Sequence, residues 1–73
     1  MRKEVANNEP FQSLTCSVSF YAPSEATLMY SADGVNYTTY SKPIPAGETA
    51  VIACKAGMFF KVSGLSAPIV VLL

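Results

Sequence analysis

Thr27-Leu28-Met29-Tyr30-Ser31-Ala32-Asp33-Gly34-Val35-Asn36-Tyr37-Thr38-Thr39-Tyr40 is the stretch on which the fold reading turns. Asp-Gly between two runs rich in aromatic and β-branched residues is a strong hairpin signal, because a type I′ turn needs positive φ at both central residues. A two-residue loop at Asp33-Gly34 predicts that Ala32 faces Val35, Tyr30 faces Tyr37 and Leu28 faces Thr39. Leu28, Tyr30, Val35 and Tyr37 then share one face, while Met29, Ser31, Asn36, Thr38 and Tyr40 share the other. A one-residue slip would invert a strand's faces. On this register Tyr30 and Tyr37 form a cross-strand pair toward the core, and Met29 and Tyr40 point outward.

Upstream of the hairpin, Leu14, Cys16, Val18 and Phe20 alternate with Thr15, Ser17 and Ser19, the period of a strand with one buried face. Tyr21 to Glu25 read as a loop. Residues 1–10 are polar, carry Asn7-Asn8 and end at Glu9-Pro10, where proline disfavours helix in the residue before it. They read as an arm, either free or ordered on a neighbouring subunit. Downstream, two prolines and Gly47 make Ser41 to Glu48 a connection. Thr49 to Lys55 alternates again, Val51 and Ala53 against Ile52 and Cys54. Met58, Phe60 and Val62 share a face of the next strand, bounded by Ala56-Gly57 and Gly64 to Pro68. Ile69-Val70-Val71-Leu72-Leu73 is apolar throughout, which predicts a strand covered on both faces, by a second sheet or by another subunit. The sum is an all-β chain: a small antiparallel β-sandwich, immunoglobulin-like or similar, of about six strands over residues 11–73, with an N-terminal arm over 1–10.

At 73 residues the chain has room for one small domain. Hydrophobic residues make up 51% of it and charged residues 14%, with a formal net charge of zero. Arg2, Lys3, Glu4 and Glu9 crowd the first nine positions, leaving Glu25, Asp33, Lys42, Glu48, Lys55 and Lys61 for the rest. Low charge with no net charge weakens colloidal repulsion and favours association. Cations this scattered make no basic stripe, so a nucleic-acid partner is not expected. Met1-Arg2-Lys3 leads into polar residues rather than the apolar core of a signal peptide. The C-terminal apolar run is too short to span a bilayer, so no membrane partner is expected.

The chemistry-bearing residues are sparse. There is no His, so the commonest general base and metal ligand is missing and the Ser and Thr hydroxyls have no imidazole to activate them. The acids stand singly, without paired-carboxylate spacing. Cys16 and Cys54 are too few for a closed zinc site, and no glycine-rich phosphate loop is present. No catalytic, metal or cofactor-binding residue is assigned. Both cysteines fall at apolar strand positions, which fits buried free thiols and leaves a disulfide between the two strands open.

The segment Tyr30-Ser31-Ala32-Asp33-Gly34-Val35-Asn36-Tyr37-Thr38, followed by Ile44-Pro45-Ala46-Gly47-Glu48-Thr49 and Gly57-Met58-Phe59-Phe60-Lys61-Val62, resembles a layout of small tailed-phage virion proteins. These are short β-sandwich accessory proteins that decorate capsids or occur in tail and head fibres. The resemblance spans about residues 12–73. It implies a non-enzymatic structural subunit of the virion, without cofactor, whose partners are other virion proteins such as a major capsid protein, or copies of itself. The hairpin is also similar to the Asp-box of sialidases and related propellers, but departs from it. Asp33 and Gly34 are adjacent, no Trp follows and there is one copy, so a blade repeat is excluded. No functional residue carries over from either family. The candidate protein-contact residues are Arg2, Lys3, Asn7 and Asn8 in the arm, Met29 and Tyr40 on the hairpin, and Leu72 and Leu73 in the last strand. The alternative is a carbohydrate-binding or adhesion module, in which Tyr40 and Tyr21 would stack on a sugar.

Overall fold

A computed structural model describes all 73 residues. It is all-β, with eight strands and no helix: β1 (Arg2–Val5), β2 (Phe11–Gln12), β3 (Ser17–Ala22), β4 (Thr27–Ser31), β5 (Thr38–Thr39), β6 (Glu48–Ala53), β7 (Phe59–Ser63) and β8 (Ile69–Leu72). They form two four-stranded antiparallel sheets, the first in the order β1-β8-β3-β6 and the second β2-β7-β4-β5. The pairing is nested. β4 pairs with β5, β3 with β6, β2 with β7 and β1 with β8, as in a long ribbon folded back on itself and rolled. That connectivity is the jelly-roll arrangement of a double-sheet β fold. It differs from the immunoglobulin order, in which the first and second strands share a sheet.

The core lies between the sheets and follows from strand alternation. Val18, Phe20 and Ala22 of β3, Ala50 and Ile52 of β6, Ile69 and Val71 of β8 and Val5 of β1 are buried from the first sheet. Phe11, Leu28, Phe60 and Val62 are buried from the second. Phe11 and Phe60 stack across β2 and β7, with ring centroids 5.8 Å apart.

Four expectations need correction. Eight strands stand where about six were expected: β1 lies within residues 1–10, read as a polar arm, and β2 is a two-residue strand at Phe11–Gln12, just after it. Residues 2–5 do not stand off as an arm: they pair with β8 and bury Val5 completely. The turn that follows is held from within the chain. The Asn8 N–H donates to the Val62 carbonyl at 2.8 Å, Asn7 Oδ1 accepts the Leu65 N–H at 3.0 Å, and Glu9 Oε1 accepts the Ala6 N–H at 3.0 Å.

The hairpin register differs by one residue. Tyr30 lies opposite Thr38 and Met29 opposite Thr39, so the connection is longer than Asp33-Gly34. A type I′ turn needs positive φ at both of those residues, and only Gly34 has it, at 77°. The reason is Asp33. Its Oδ1 accepts the Val35 N–H at 2.8 Å, the Asn36 N–H at 2.9 Å and the Ser31 hydroxyl at 2.7 Å, and its Oδ2 accepts the Asn36 side-chain amide at 3.0 Å. The Ser31 hydroxyl in turn accepts the Gly34 N–H at 2.9 Å. This side-chain network supplies what a tight turn would have taken from backbone pairing. The slip separates the tyrosines: Tyr30 packs on the core, while Tyr37 sits under the Lys61 ammonium, 4.2 Å from the ring centroid.

The remaining two corrections concern burial. Within the chain the second sheet covers β8 on one face only: Ile69 and Val71 are buried, while Val70 and Leu72 are about half exposed, on the face where the expectation left room for another subunit. The cysteines are free thiols, Cys16 exposed and Cys54 half-buried, because β3 begins only at Ser17.

Candidate functional site

Four of the eight large hydrophobic side chains that the chain leaves exposed stand on the outer face of the first sheet, and strand register brings them together. One row crosses all four strands through Arg2, Leu72, Ser19 and Val51. In the adjacent row Glu4 stands opposite Val70 and Tyr21 opposite Thr49, and the β3–β8 register carries Val70 on to Tyr21. Tyr21 is 55% exposed, Val51 71%, Val70 51% and Leu72 49%, so four large apolar side chains share one face with solvent. Arg2, Tyr21, Thr49, Val70 and Leu72 border a shallow depression of about 300 Å³ between the rows. Exposed, contiguous apolar patches rimmed by polar residues mark interaction surfaces.

The eight candidate contact residues do not converge. Arg2 and Leu72 do meet, side by side on this face. Lys3 is opposite Val71, on the other side of β1 from Arg2. Asn7 and Asn8 lie in the turn described above, exposed, with the Asn7 side-chain oxygen and the Asn8 backbone N–H engaged within the chain. Met29 is half-buried on the outer face of the second sheet, between Thr39 and Lys61. Tyr40, whose N–H donates to the Leu28 carbonyl at 2.7 Å, lines a cleft of about 290 Å³ between the sheets with Tyr30, Ile52, Cys54, Met58 and Phe60. Leu73 is half-buried against the core, its N–H bonded to the Met1 carbonyl at 2.8 Å. Val51 and Val70 are the members that sequence reasoning missed, and Tyr21 entered it only as a platform for a sugar. The alternation of Thr49 to Lys55 already set Val51 on the face opposite Ile52. Tyr21 was hidden by ending its strand two residues early.

Hydrogen bonds from the Asn36 and Val35 amides, then from the Ser31 hydroxyl and the Asn36 side chain, hold the Asp33 carboxyl far below the usual carboxylate range. That site is fully exposed and all its donors belong to its own loop, so its role is to shape the connection. No three His, Cys, Asp or Glu side chains come together as a metal site would require. No helix is long and apolar enough to cross a membrane.

Comparison with protein-family models, with curated proteins and with solved structures finds no match for this chain.

Proposed function

We propose that the chain is a non-enzymatic structural subunit that works by packing the outer face of its first sheet against protein, as an accessory of a tailed-phage virion. The observation that carries the packing role is the exposure of Tyr21, Val51, Val70 and Leu72, on two adjacent rows of one face, in a domain with few charges to keep copies apart. The virion setting rests on the resemblance of residues 12–73 and on an analogy of fold, since jelly rolls recur in viral capsid domains. Partners of matching chemistry are an apolar patch on a major capsid protein or on another copy of the chain.

The carbohydrate reading keeps the same analogy, because jelly rolls also occur in lectins. It is weaker on chemistry. The cleft beside Tyr40 is lined mainly by apolar side chains and holds no carboxylate to orient a sugar.

The packing reading is tested by sedimentation velocity and particle co-sedimentation on wild type and a Val70→Asp/Leu72→Asp variant. Wild-type association, or binding to capsid particles, that weakens at least tenfold in the variant supports it. A wild type that neither self-associates at high micromolar concentration nor binds particles overturns it.

A further inference from the structure

Two sheets in an open sandwich leave four edges, and three of them are protected. β1 carries Arg2, Lys3 and Glu4 along its length, while β2 and β5 are two residues each. Charge and shortness are the ordinary means of blunting an edge. β6 has neither. It is a six-residue edge strand reading Glu-Thr-Ala-Val-Ile-Ala, with one charge at its start and no proline.

Its free hydrogen-bonding groups can be assigned. The Cys54 N–H donates to the Cys16 carbonyl at 2.8 Å, which makes Cys54 and Cys16 a bonded pair in the β3–β6 register. Bonded pairs alternate along an antiparallel ladder, so Ile52 and Ala50 also turn their backbone groups toward β3. Thr49, Val51 and Ala53 therefore turn theirs outward, where β6 has no neighbouring strand, and none of the turn, loop or side-chain hydrogen bonds engages them.

We propose that β6 pairs antiparallel with β6 of a second copy across a two-fold axis at Val51. The register is self-complementary: Val51 meets Val51 and Thr49 meets Ala53 in both directions. With one donor and one acceptor per residue per copy, the pairing closes about six backbone hydrogen bonds. The same register places Glu48 of one copy opposite Cys54 of the other, one residue along the chain from Lys55. Unlike charges therefore lie at both ends of the contact, and no like charges are opposed. The two first sheets become one eight-stranded sheet, and the exposed Val51 side chains cover each other on its outer face. This contact uses an edge rather than the sheet face and stands without the packing reading above.

Four variants test it in sedimentation velocity on the full chain, with amide hydrogen exchange as the local readout. Val51→Pro removes a donor that faces outward, where an edge strand tolerates proline, so the monomer's own ladder is kept. It is expected to raise the dimer dissociation constant at least tenfold. Glu48→Lys weakens the dimer, and the Glu48→Lys/Lys55→Glu double variant restores it. In the wild type, the Thr49, Val51 and Ala53 amides exchange fast when dilute and become protected as the dimer forms. Val70→Asp/Leu72→Asp leaves that protection in place, which separates edge pairing from face packing. A wild type that stays monomeric at high micromolar concentration overturns the proposal. So does a dimer that leaves these three amides unprotected or survives Val51→Pro. A strand from a different protein is the competing occupant, reported by protection that appears only when that protein is added.

Discussion

Asp33 shows how one side chain sets a loop. Its carboxylate holds the amides of Val35 and Asn36 and the hydroxyl of Ser31, and those bonds keep it ionised far below its ordinary pKa of 3.8. A depressed carboxyl contributes stability above its unfolded pKa and loses it as pH falls through the folded one. Asp33→Ala is therefore expected to lower the melting temperature at pH 7. The gap to wild type should narrow steadily as the pH is taken below about 3.8, the ordinary Asp value. Thermal melts of both proteins from pH 7 to pH 2 check this, and a gap independent of pH refutes it. This residue also marks where the sequence was hard to read. Asp-Gly is the cue for a two-residue turn, yet a Ser two positions before the Asp offers a competing bond. The competition displaced the register by one and parted Tyr30 from Tyr37.

At the scale of elements, β1 and β8 carry the main lesson. The alternation in β3, β6 and β7 was legible because buried and exposed positions differ in chemistry. β1 was not, since Arg2, Lys3 and Glu4 are what an edge strand needs to repel partners and also what a free tail looks like. β8 misled in the opposite sense, because Val70 and Leu72 face solvent where alternation would place polar residues. That departure is the signal of the candidate site. With Val5 fully buried, Val5→Ala is expected to cost about 1–3 kcal/mol, measured by urea denaturation. Deleting residues 1–5 should therefore destabilise the domain itself, not merely release an arm. The cysteines add a second test. Cys16 and Cys54 face each other just beyond the ends of β3 and β6, the Cys54 N–H bonded to the Cys16 carbonyl, and at such a pair Cα atoms ordinarily stand about 5.5 Å apart, within disulfide reach. Mild oxidation is expected to close an intramolecular disulfide, detected by non-reducing mass spectrometry. A loop of this length should raise stability by roughly 3–4 kcal/mol.

For the whole molecule, size governs. Seventy-three residues at about 0.05–0.15 kcal/mol each give a total stability of roughly 4–11 kcal/mol. Leu28 is fully buried between the sheets, and Leu28→Ala should cost about 2–5 kcal/mol, a large part of that total. Far-UV circular dichroism against temperature will show it as a substantially lowered midpoint. The nested pairing also dictates an order of events in time. β4 and β5 are close in the chain and meet first; β3 with β6 and β2 with β7 then close over them, each across a gap already shortened by the pair inside. β1 with β8 comes last, joining the first of the eight strands to the eighth. Until residues 69–72 are made, β1 has no partner and β3 is paired on one side only, so the growing chain must hold an open seam until β8 is in place.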